Sequence, residues 1–119
     1  MKTLVAYLAA AAIAVPAAAQ TPTTQLSLEH RMLLRCSAAF ALVAYRQQAN
    51  DPDYAQYPPL RERGGEFFVQ ASARVMDEAG LDRPAISAAL ENEARELVQG
   101  GTLAAVMPVC LAALEASER

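Results

Sequence analysis

The sequence predicts an all-α fold, a small antiparallel four-helix bundle stapled by one disulfide between its first and last helices. Apolar residues recur at spacings of three and four in four segments separated by proline, glycine and aspartate. No stretch alternates apolar and polar residues for long enough to form a strand. The only two cysteines, Cys36 and Cys110, fall within the apolar faces of the first and last segments.

Ser27 is a side-chain N-cap for the first helix, and Glu29 places a negative charge in its first turn, where the helix dipole favours it. Met32, Leu33, Cys36, Phe40 and Val43 form one apolar face, and the helix runs to about Ala49. NDPDYAQYPP, residues 50–59, ends it, because residues before proline disfavour the α region, and the second proline of the Pro58-Pro59 pair can begin the next helix. From Leu60 to Ala79 the positions Leu60, Phe67, Phe68, Ala71, Val75 and Met76 return to helical spacing, with Gly80 as the C-terminal stop.

Gly64 and Gly65 interrupt that second helix at a cost of roughly 2 kcal/mol relative to alanine. Either the helix begins after them or another backbone passes close by. Asp82 caps a third helix with Pro84 in its first turn and Ile86, Ala89, Leu90, Ala94, Leu97 and Val98 as its apolar stripe, ended by Gly100-Gly101. Thr102 can cap a fourth, whose face is Leu103, Val106, Met107, Cys110, Leu111 and Leu114. Pro108 in its interior predicts a kink or a restart near Met107.

Short connections make the first and last helices neighbours in an up-and-down bundle. With about 1.5 Å of rise per residue, Cys36 lies about 14 Å from the start of the first helix and Cys110 about 10 Å from the end of the fourth, so antiparallel packing brings them level. A bond between them would destabilise the unfolded chain by roughly 4–5 kcal/mol through loop closure. Eighteen alanines in residues 20–119 allow close helix packing around a thin core.

Residues 1–19, MKTLVAYLAAAAIAVPAAA, have the form of a signal peptide: Lys2, an apolar run from Leu4 to Val15, Pro16, and small residues at Ala17 and Ala19. The uncharged run is shorter than the ~20 residues of a spanning helix, so the expectation is cleavage near Ala19/Gln20, a mature form that does not span the membrane, and a periplasmic or secreted location. An oxidising compartment lets two cysteines stay paired. Residues 20–26 read as a flexible arm and 27–117 as the helical domain. After cleavage, nine arginines stand against thirteen carboxylates, a formal charge of −4, which gives no general attraction to nucleic acid.

No catalytic constellation, cofactor motif or metal-ligand spacing is visible. His30 is the only histidine, stands off-face from Cys36, and reads as exposed or capping. Asp51, Asp53 and Glu62 mimic the ends of a calcium loop, but Ala55 and Gln56 stand at its fifth and sixth positions and prolines stiffen it. Arg74 with Glu78 and Glu91 with Arg95 are i, i+4 pairs, and Glu93 and Glu96 read as solvated. Tyr54, Tyr57, Phe67 and Phe68 are the candidate interaction surface, since a Pro-Tyr loop can offer one and adjacent phenylalanines cannot both face one core.

RCSAAF, RGGEFF with the following VMDEAGLDR, and MPVCL together resemble small exported helical proteins of unassigned function from alphaproteobacteria. That resemblance implies no activity. In layout alone the chain is similar to periplasmic acid-stress chaperones, although it lacks their lysine-rich ends. The expected role is therefore a non-enzymatic module that binds a protein or envelope component, with an acid-responsive chaperone as the alternative.

Overall fold

The structure is a computed structural model and describes residues 26–119 together with residues 11 and 12. The expected signal peptide, its expected cleavage site and the expected arm up to residue 25 lie outside the described residues, apart from Ala11 and Ala12. Four helices follow one another: α1 (Leu28–Gln48), α2 (Arg61–Ala79), α3 (Arg83–Gln99) and α4 (Leu103–Ser117), with a short 3-10 turn at Pro52–Tyr54.

The helix ends are fixed by local chemistry. The Ser27 hydroxyl accepts from the His30 backbone N–H and the Asp82 carboxylate from that of Ala85, so two of the three expected N-caps form, whereas Thr102 precedes α4 without a side-chain cap bond. At the end of α1 the chain turns through Asn50 at a φ of 57°, and the N–H groups of Asn50 and Asp51 return to the carbonyls of Gln47 and Arg46. That pair of bonds satisfies two carbonyls the helix leaves open. Gly80 and Gly101, at φ of 68° and 63°, do the equivalent after α2 and α3, where a β-carbon would be strained.

α1 is the hub. Its residues 36–40 are all buried, which covers a full turn on every side, and it packs on α2, α3 and α4. α2 runs antiparallel to it: Phe40 meets Gly64, while the start of α1 meets the end of α2 through His30 and Glu78. α3 then runs beside α1, with Ile86 in a small cluster with Leu34 and Val75. The larger core cluster joins Phe40, Val43, Leu60, Phe67, Leu97, Met107 and Leu114 around the two cysteines.

Cys36 and Cys110 form the predicted bond, with Cα atoms 5.1 Å apart and both residues buried. It ties the middle of α4 to the middle of α1 and closes most of the fold into one loop. α4 continues unbroken through Pro108, without the restart the proline suggested. Pro108 and Ala104, whose carbonyl loses its partner there, are both on the exposed face, so water can satisfy the freed group.

Two expectations about charge change. Glu93 is 4 % exposed rather than solvated, and its carboxylate accepts from Arg35 Nε at 2.8 Å, with Arg31 at 3.8 Å. A carboxylate can be buried at this point because α1 supplies the guanidinium, and Arg35 reaches Glu96 as well at 3.1 Å. Those charges fasten α3 to α1. Glu91 and Arg95 form no ion pair among the described residues, whereas Arg74 and Glu78 do at 2.8 Å.

Replacing Cys36 or Cys110 with serine should lower stability by ~2–5 kcal/mol. Chemical denaturation of parent and variants under non-reducing conditions measures it, and superimposable curves would contradict the assignment.

Candidate functional site

The loop between α1 and α2 is organised by one side chain. Gln47 donates through Nε2 to the carbonyls of Tyr54, Tyr57 and Pro58 at 3.3, 3.3 and 3.0 Å, and its Oε1 accepts from the Leu60 N–H at 3.1 Å. Asp51 caps the 3-10 turn by accepting from the Asp53 N–H. Tyr54 and Tyr57, ring centres 6.4 Å apart, are each half-buried against the core cluster. They close one end of the bundle. Among the described residues no three His, Cys, Asp or Glu side chains are grouped to hold a metal ion.

The adjacent phenylalanines divide. Phe67 is 4 % exposed and meets Phe40 edge-to-face with ring centres 5.2 Å apart, so it belongs to the core and leaves the candidate surface. Phe68, one helical step round, is 41 % exposed. It borders a groove of about 310 Å³ between α1 and α2, floored by Phe40 and Leu60 and edged by Ala41, Ala44, Gly64 and Gly65. Tyr45 and Val69 are also largely exposed, on α1 and α2 respectively.

The two glycines have different reasons to be there. A β-carbon on Gly64 would stand 2.9 Å from the Phe40 β-carbon, so the close approach of α1 and α2 requires glycine. A β-carbon on Gly65 would meet nothing within 4 Å. The fold gains nothing from glycine at 65, which costs the helix about 1 kcal/mol relative to alanine. What it does is leave the groove open beside Phe68. Arg61 lines the same groove, exposed and without an acidic partner among the described residues.

Charged groups elsewhere clasp helix to helix. Arg74 holds Glu78 at 2.8 Å and Glu29 at 2.5 Å, and His30 Nε2 lies 3.2 Å from Glu78, joining α1 to α2. His30 is therefore neither freely exposed nor only a cap residue. At the other end of α2, Arg63 donates to both oxygens of Glu118 at 2.8 and 2.5 Å, fixing the end of α4. The hydrogen bond from Arg74, and then that from His30, hold the Glu78 carboxyl below its usual range; Arg63 does the same for Glu118.

No protein-family model, curated protein or solved structure matches this chain. The functional reading therefore rests on the residues themselves. Spacing alone could not separate Phe67 from Phe68 or Gly64 from Gly65, and Arg61 drew no attention in sequence because its i+4 position is occupied by Gly65.

Alanine substitutions at the glycine pair should have opposite effects. Gly65→Ala should stabilise by about 1 kcal/mol through helix propensity, and Gly64→Ala should destabilise by about 1–3 kcal/mol through overpacking on Phe40. Melting curves of both variants give the signs, and equal signs would contradict the packing described.

Proposed function

We propose that this chain is an exported, disulfide-stapled binding module without catalytic activity, which engages an envelope protein through the α1–α2 groove. The observation that carries the reading is Gly65: a helix-interior glycine that no internal contact requires, facing an apolar groove beside the exposed ring of Phe68. A residue without a side chain makes physical sense there if another chain comes close. Arg61, unpaired among the described residues, gives the partner segment its character, an apolar side chain for the groove with an acidic residue next to it.

Export rests on the form of residues 1–19 and agrees with the buried disulfide and with the absence, among the described residues, of any helix long and apolar enough to cross a membrane. The groove-filling variant Gly65→Leu tests the binding site because it should fold at least as well as the parent. Parent, Gly65→Leu and Arg61→Glu are exported with an affinity tag, cross-linked gently in the intact envelope and compared by quantitative mass spectrometry. One partner should be lost from Gly65→Leu and weakened by Arg61→Glu. Identical profiles for all three would reject the groove as the binding site.

A second reading, an acid-responsive chaperone, is favoured by the carboxylate clasps. The folded-state pKa values of Glu78 and Glu118 are depressed, so the stabilisation from their arginines is fully present above the ordinary carboxylate value of 4.5 and is lost as pH falls below it through the folded values. Acid would then release α2 from α1 at one end and α4 from α2 at the other, while the disulfide limits unfolding. Hydrophobic-dye binding should rise below pH 4.5, and protection of an aggregating client should rise with it. A flat dye signal down to about pH 2, below the normal carboxylate range, would eliminate this reading.

A further inference from the structure

A second concavity, sharing no lining residue with the α1–α2 groove, lies between α1, α2 and α4. Its volume is about 480 Å³, within the range of small-molecule sites, and helical bundles commonly place such sites between helices. The trough exists because α4 presents Ala113 and Ala116 to it, residues too small to fill the space towards α1, while the Cys36–Cys110 bond fixes the helix in place. Its walls are Met32 and Leu33 of α1, Phe67 of α2 and Val109 of α4.

Those walls are apolar, and the one hydroxyl among the lining residues, that of Ser117, donates to the Leu114 carbonyl, so what suits them is a hydrocarbon chain. The charges bordering it are Glu29 and Arg74, one of each sign, with side chains 63 % and 48 % exposed. Arg74 donates through Nε to Glu78 and through Nη2 to Glu29, which leaves other guanidinium N–H groups for an anion. Glu29 accepts through Oε1, leaving Oε2 for an ammonium. An anionic head group alone would face Glu29 and Glu78, and a cationic one alone would face Arg74. A head group carrying both charges meets both complements.

We infer that this trough binds a single-chain zwitterionic amphiphile of the lysophospholipid class, with its chain against Met32 and Val109, its phosphate on Arg74 and its ammonium on Glu29. The inference is independent of the groove and its protein partner.

Titration calorimetry of the oxidised protein purified after export, with lauroyl lysophosphatidylethanolamine, laurate and dodecylamine, each below its micelle concentration, tests it. The zwitterion should bind saturably at one site and about tenfold more tightly than either singly charged amphiphile. Ala113→Phe, which fills the trough, should abolish binding. Val109→Asp, at a position already half open to solvent, should do the same with a circular dichroism spectrum and melting temperature like the parent's. No saturable binding of the zwitterion, or undiminished binding by a folded Val109→Asp variant, would overturn the site. Equal affinity for laurate or dodecylamine would overturn the head-group assignment.

Discussion

The bond between Cys36 and Cys110 is the constraint on which the rest of this fold depends. A domain of this size has few large side chains to bury, and most of them sit on one helix, α1, and the elements that reach it. α4 contributes Met107, Cys110 and Leu114 to the core, packs Leu103, Val106 and Leu111 half-buried against it, and presents the small side chains of Ala113 and Ala116 beside α1 and α2. The covalent link fixes its position without requiring it to fill the space beside it, which is why a trough survives between α1, α2 and α4.

Charge completes what the thin core begins. Arg35 with Glu93 and Glu96 fastens α3, Arg74 with Glu29, Glu78 and His30 joins α1 to α2, and Arg63 with Glu118 secures the tail of α4. These clasps differ in kind. Glu93 is almost wholly buried, so its pairing with Arg35 is a condition for burying it at all. The pairs of Arg63 and Arg74 are partly open to solvent, where each contributes modestly and depends on the carboxylate remaining ionised, while His30 beside Glu78 is sheltered. The outer clasps therefore respond to acid while the disulfide does not.

The helix boundaries were legible in sequence because they are decided locally. Ser27 and Asp82 cap with their own side chains, and Gly80 and Gly101 supply the left-handed residues that stop α2 and α3. The disulfide was legible because two cysteines allow one pairing within the chain and the helix topology brings them level. Features decided by distant residues were not. Ser37 is buried because α1 is surrounded, which its own pattern of apolar residues did not reveal, and Glu93 is buried because Arg35 stands 58 residues away. Gln47 reads as an ordinary polar residue near a helix end, yet it holds the following loop. The candidate surface was half legible: Phe68 lies on it, whereas Phe67 meets Phe40 in the core.

Amide hydrogen exchange, compared between the oxidised protein and the protein reduced under otherwise identical native conditions, measures the role of the staple directly. If the bond is what holds α4, reduction should accelerate exchange first across Leu103–Ser117, with the α1–α2 core around Phe40 and Phe67 keeping its protection longer. Protection of α4 that is unchanged by reduction would show that packing alone retains the helix, and would contradict the dependence of the fold on the Cys36–Cys110 bond.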